Sequence, residues 1–299
     1  MKRSFLLIAA TALLFVMGGS GQNTPKKSAL DKPTLEAYLR HLWVLDPQMS
    51  MTIADPQPSE LPGFQDVKVK IAMGPQSQEV ALMVSKDGAK VLQASVWDIN
   101  SNPFKKDIDK LKTQFEPSIG TPGATVVIVA FSDFQCPYCK QFHDSIYPAI
   151  KKQYVDAGIV RMAYLNLPLS SIHMNAEPAA EAAMCAAAQD KFWPMHDRLF
   201  DTQDRWKNDP KPARLMDSLA VAVGADGATW RACMAGGLMK RIVSGDRARA
   251  AASGARSTPT FFIGDERFAG LAPSATETIG AFKRAIERER AKKAGRPTP

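Results

Sequence analysis

Two kinds of hydrophobic spacing divide the chain. Leu35, Leu39 and Leu42 recur at helical intervals within residues 30–45, and Pro33 near the first turn suits a helix start. Further on the period becomes two: Val67, Val69 and Ile71 alternate with Lys68 and Lys70, and Val80, Leu82 and Val84 repeat the pattern. Lys86-Asp87-Gly88 is a hairpin-turn signal, and Val91–Val96 supplies a returning strand. These elements predict a small α+β domain over residues 29–101, with no cysteine and His41 as its one histidine, so no chemistry is expected of it. Ser101-Asn102-Pro103 breaks the pattern. Residues 104–115 read as a charged helix with Ile108, Leu111 and Phe115 on one stripe, and Pro117 with residues 120–123 ends it. Residues 102–123 are therefore expected to be a linker helix and loop.

The second domain, residues 124–293, opens with an unbroken apolar run, Ala124–Phe131, which predicts a buried strand. A helical pattern follows over residues 140–147, and Ile159–Leu165 is a second strand. Five helical stretches then fill an insertion of about residues 168–253. Ser257–Ile263 reads as a strand entered through Pro259, Arg267–Gly270 as its hairpin partner, and Ile279, Phe282 and Ile286 as the buried stripe of a last helix. The order is strand, helix, strand, helical block, hairpin, helix. The expected fold class is α/β, a thioredoxin-like layout with a helical insertion, preceded by the small α+β domain.

Composition refines this picture in three places. Hydrophobic residues make up 45% of the 299, enough for a real core. The formal net charge of +8 is concentrated partly in residues 283–296, a basic stretch without interleaved aromatics, so nucleic acid is not an expected partner. Met1-Lys2-Arg3, the apolar run Phe5–Val16 and the small residues Gly18 to Gly21 predict a cleaved secretory signal over residues 1–21. The apolar run is shorter than the about 20 residues a membrane span needs. The mature chain is thus expected in the periplasm or otherwise outside the cytoplasm, where disulfides persist.

Export gives the four cysteines meaning. Cys136-Pro137-Tyr138-Cys139 sits where the buried strand turns into a helix. Free N–H groups and the helix dipole at that N-terminus favour a thiolate, the form that attacks disulfides. Cys136 is the expected nucleophile and Cys139 the resolving thiol one turn inside. Pro137 presets the helix start, and Tyr138 is expected beside the site, as a modulator or as a passive surface ring. Asp133 either relays a proton to Cys139 or caps the turn. His143, one turn beyond Cys139, reads as a surface residue, the alternative being one that reaches the active-site face. A zinc site would need further ligands at metal spacing, and none is so spaced, so no metal and no cofactor are expected. Cys185 and Cys233 are either a structural disulfide or two buried thiols. The exported setting favours the disulfide, worth about 3–4 kcal/mol by loop entropy.

With these motifs in place, residues 120–293 resemble the bacterial periplasmic Dsb-type thiol:disulfide oxidoreductases. The resemblance implies a cis peptide between Thr258 and Pro259 facing the two cysteines, as the wall against which substrate lies. Residues 181–200 look like the helical insertion of DsbA-like members, some of which pair two cysteines there. Residues 29–101 resemble, more weakly, the dimerisation domain of the DsbC and DsbG isomerases. The chain departs from DsbA at Ala130, where DsbA has an acidic residue, and at Thr258, where it has valine. The implied partners are unfolded or partly folded exported proteins and a membrane or periplasmic redox partner, with a possible homodimer through the N-terminal domain. The implied activity is disulfide formation or exchange. Two alternatives stand beside it: an isomerase or reductase dimer, and a non-catalytic chaperone or holdase that uses some of the thirteen methionines as adaptable surface.

Overall fold

The computed structural model describes residues 27–297 except 75, 95 and 112–115. The predicted signal lies outside the described residues, as does the end of the helix expected over 104–115. The chain forms two compact units that part after Trp97.

In the first unit, α1 (Lys32–Leu42) begins where the Asp31 carboxylate accepts the Thr34 N–H at 3.0 Å. It is followed by β1 (Ser50–Ile53), β2 (Gln57–Pro58), β3 (Phe64–Met73), β4 (Gln76–Ser85) and β5 (Val91–Leu92), all antiparallel, with β2 and β1 both on β3 and β5 on β4. Val67, Val69, Leu82 and Val84 face Leu35 and Leu39 in one small core. The lysines between them point to solvent, as period two requires. Gly88 turns the β4–β5 hairpin at φ +69°, where a Cβ would also collide with Ser28. The returning strand is shorter than its sequence pattern: only Val91 and Leu92 pair, against Val84 and Met83. The periodicity did not reveal β1, a four-residue strand whose Met51 and Ile53 are only half-buried.

The second unit is built on the sheet order β10-β9-β7-β8-β6. After α2 (Lys105–Ile108), β6 (Ser118–Ile119) pairs antiparallel with β8 (Val160–Asn166). The segment read as a linker thus lies on this unit. Ile108 and Leu111 pack on the core that contains Phe131, Leu165 and Phe262, and Arg267 stacks over Phe104 at 4.6 Å. The first turn of the expected helix is all that is regular before Leu111. Central β7 (Val126–Ser132) runs parallel to β8 and antiparallel to β9 (Thr260–Ile263), which pairs with β10 (Glu266–Ala269). Between β7 and β8 come α3 (Pro137–Ser145), α4 (Tyr147–Ile150) and a π-helical turn over Lys151–Val155. α11 (Ala275–Lys293), capped by Ser274 and Glu277, closes the same face of the sheet through Phe282, Ala285 and Ile286.

The insertion between β8 and β9 is all helical: α5 (Ala176–Ala187), α6 (Phe192–Asp201), α7 (Gln203–Trp206), α8 (Ala213–Ala222), α9 (Gly227–Gly236) and α10 (Leu238–Ala252). Small alanines let α5 run through the middle of this block with most of its surface covered. Its core also takes in Phe134, Cys136, Cys139 and Tyr164, so the insertion and the turn ahead of α3 share one interior. Cys185 on α5 and Cys233 on α9 are joined by a disulfide across 48 residues of sequence, with Cα atoms 5.8 Å apart. Among the described residues no helix is long and apolar enough to cross a membrane.

Loop entropy puts the Cys185–Cys233 bond at about 3–4 kcal/mol. Replacing both residues by alanine is expected to lower the free energy of denaturant unfolding by that amount. A loss below about 1 kcal/mol would show that the helical block holds itself together.

Candidate active site

β7 ends at Ser132, and the chain reverses into α3 over three residues. Asp133 makes this turn: its Oδ1 accepts the Gln135 N–H at 2.7 Å and its backbone carbonyl accepts the Cys136 N–H at 3.1 Å. Cys136 is the N-cap, with extended φ and ψ of −68° and 127°, and Pro137 takes the first helical position, where no N–H is needed. The Cys136 sulfur therefore sits over the open end of α3. Cys136 is 4% exposed and Cys139 1%; both are free thiols. Pro137 and Tyr138 are exposed on the rim, Tyr138 by 61%.

The second wall comes from the far end of the insertion. The Thr258–Pro259 peptide is cis, and the Cys136 Sγ lies 3.5 Å from the Thr258 carbonyl oxygen. The Thr258 hydroxyl is buried without any other partner, which leaves its hydrogen available to the Cys136 sulfur. Gly270 donates to the Pro259 carbonyl at 2.8 Å and holds the segment in place.

The two thiols differ sharply. The Cys136 thiol is pulled down to about 6, first by a hydrogen bond from Cys139, then by the Thr258 hydroxyl and the N–H groups of Cys139 and Tyr138, against the opposing effect of burial. Burial pushes Cys139 well above the ordinary thiol value of 9.0, and the adjacent Cys136 sulfur adds to the push. The Asp133 N–H reaches the Cys139 sulfur at 3.5 Å. The arrangement favours one thiolate, at Cys136, and keeps the inner sulfur protonated.

Behind the pair lies a polar network. Asp133, 1% exposed, accepts the Leu169 N–H at 2.9 Å on Oδ2, and the same oxygen meets His173 Nδ1 at 2.7 Å. Gln135 bonds the Lys207 carbonyl and accepts the Asn175 N–H, both at 2.7 Å. Gln203 donates to the Phe134 carbonyl at 2.7 Å and to the Cys136 carbonyl at 3.3 Å. Asn175 ties three carbonyls, of Trp206, Lys207 and Asp209. Sequence reading passed over His173, Asn175 and Gln203. Polar side chains at helix ends look like surface until the fold buries them, and nothing in the residues around these three signals otherwise.

His143 departs from its sequence reading. It is half-buried and faces α6, within reach of His196 and Asp197. Among the described residues, these three form the one group whose ring nitrogens and carboxylate oxygen lie within 4.8 Å of one another.

A family model described as Thioredoxin matches residues 112–288. A Na(+)/H(+) antiporter NhaA 3 of Salinispora tropica is 36% identical over 151 residues, covering 50% of this chain and 22% of that protein. Disulfide bond formation protein D of Bacillus subtilis is 32% identical over 95 residues, covering 30% of this chain and 43% of that protein. The crystal structure of oxidised BdbD from Bacillus subtilis superposes with a TM-score of 0.52 at 25% identity, over 58% of this chain and 92% of that one. The chain thus spans less than half the length of these two curated relatives.

Removing the Thr258 hydroxyl tests its part in the thiolate. Thr258→Val is expected to raise the Cys136 pKa by about one unit, read from ultraviolet thiolate absorbance against pH. An unchanged titration would remove Thr258 from the account. The depressed value also fixes a stability window. The folded, reduced chain binds fewer protons than the unfolded chain between about 6 and 9.0. Its stability relative to the oxidised chain is therefore expected to rise with pH through that window and to be lost as pH falls through about 6.

Proposed function

The chain belongs to the thioredoxin family, and we propose that it is an exported thiol:disulfide oxidoreductase that donates its Cys136–Cys139 disulfide to folding proteins. The observation that supports this reading is the asymmetry of the two thiols: Cys136 is held near 6 while Cys139 stays protonated. A fold that stabilises the reduced form in this way makes the disulfide a good oxidant. A substrate thiolate attacks the Cys136 sulfur, and the S–S bond to Cys139 breaks. The electron pair leaves on Cys139, which takes up a proton. A second substrate thiolate then attacks the substrate sulfur of the mixed disulfide and expels Cys136 as its stabilised thiolate. The substrate gains a disulfide, and the chain ends as the dithiol.

In this reading Asp133 and His173 pass the proton between buried Cys139 and solvent: Asp133 is the buried member, and His173 is more open to solvent, its side chain 15% exposed. The exposed rings and chains of Tyr138, Ile172 and Met174 support an unfolded, partly apolar substrate, since Ile172 and Met174 flank the His173 that bonds Asp133. Thr258 and Pro259 supply the wall beside the attacking sulfur, where an extended segment pairs with backbone. The substrates are exported proteins outside the cytoplasm, and a membrane or periplasmic redox partner reoxidises the dithiol. An isomerase or reductase dimer is the second reading, supported by the separate antiparallel unit before Trp97.

Mixing the oxidised chain with reduced, unfolded ribonuclease is expected to produce active ribonuclease faster than glutathione disulfide alone, and Cys136→Ser to abolish the gain. No gain would sink the oxidase reading. Recovery from scrambled ribonuclease by a protein that light scattering shows to be a dimer would install the isomerase instead. Asp133→Asn is expected to slow exchange by roughly 100-fold near neutral pH, with the loss shrinking as pH rises and hydroxide replaces the relay. A loss that is independent of pH would make Asp133 only a turn residue.

A further inference from the structure

The junction of α3 and α6 contains a group that the redox reaction does not use. His143 Nδ1 is 2.8 Å from Asp144 Oδ1, and a neutral ring bonded this way carries its hydrogen there. Its other nitrogen, Nε2, then presents a lone pair, and it faces Asp197 Oδ1 at 3.4 Å. The same carboxylate oxygen lies 2.8 Å from Nδ1 of His196. In that neutral form a ring nitrogen and a carboxylate oxygen face one another across a gap that is filled either by a proton on His143 or by a metal cation.

We propose that His143, His196 and Asp197 form a binding site for a divalent transition-metal ion of the zinc class, with its remaining position open to solvent. The donor set is the first argument. Two imidazoles and one carboxylate suit zinc, cobalt, nickel or copper and not calcium or magnesium, which want oxygen. Spacing is the second. A ring nitrogen of each histidine and an oxygen of Asp197 lie within 4.8 Å of one another, and ligands on one tetrahedral ion sit about 3.3 Å apart, so small side-chain movements close the site. Support around the ligands is the third. Asp144 orients His143 through the far ring nitrogen, the carboxylate–histidine–metal arrangement, and Lys140 fixes the other Asp144 oxygen at 3.0 Å. His196 is 5% exposed and wedged among Phe134, Trp193 and Phe200, so its ring cannot swing away. Asp197, half exposed, leaves a path for the ion to enter.

The site joins the helix that bears Cys136 and Cys139 to the insertion that braces them. A bound ion clamps α3 onto α6. This inference stands apart from the redox reading, since none of the three residues touches either thiol in the contacts described.

The test uses the full, tag-free chain with Cys136–Cys139 and Cys185–Cys233 both oxidised, so that no thiolate competes for metal. Zn2+ is titrated by calorimetry and Co2+ by visible absorption. One ion per chain is expected, with the cobalt bands of a nitrogen and oxygen site and a higher unfolding temperature in zinc. Asp144→Asn is expected to weaken binding by about 10- to 100-fold, and His143→Gln or Asp197→Asn by more. Asp197→Asn changes a half-exposed residue and serves if His143→Gln misfolds. No saturable binding, or equal binding by the chain and all three variants through His41 or His173, would overturn the proposal.

Discussion

Everything near the cysteines answers to one demand: a negative charge has to be held on a sulfur that is almost closed off from water. Burial alone would push Cys136 towards the neutral thiol. The opposing dipoles come from four places, the Cys139 thiol, the Thr258 hydroxyl and the N–H groups of Tyr138 and Cys139. Two of these belong to the backbone of α3 and exist only if the helix starts at residue 136. The turn that starts it there depends in turn on the Asp133 carboxylate. Thus a charge preference at one atom dictates the strand end, the turn and the helix start around it.

The insertion serves the same demand from behind. A buried turn exposes backbone carbonyls that need donors, and Gln203 and Gln135 satisfy them or link them to α7. Asn175 does the same for carbonyls at the end of α7 and just beyond it. Broken in part, such a network would cost more than it contributes, because each orphaned carbonyl carries its full desolvation penalty. The helical block is consequently a scaffold for the turn that carries Cys136, and the Cys185–Cys233 bond ties two of its helices together.

Much of this was legible in the chain itself. Apolar periodicity located β7, β8, α5 and α11, because long buried elements write their pattern into contiguous residues. Cys136 to Cys139 was legible for the same reason, since the motif is local. What escaped was non-local or short. β1 and β6 are too brief for a period to declare itself, and residues 102–123 read as a linker because nothing in them says that Ile108 and Leu111 have partners on β7 and β9. His173, Gln203 and His196 look like surface polar residues in one dimension. Their roles come from atoms on other elements, such as the Asp133 carboxylate and the Phe134 carbonyl.

The walls of the site stand far apart along the polypeptide: Cys136 and the Thr258 carbonyl it meets are separated by 122 positions. A ribosome that has added Cys139 has still to make the whole helical block before Thr258 exists. During that interval the opposite wall of the pair is missing. The order of synthesis thus makes this wall the last part of the site to be added.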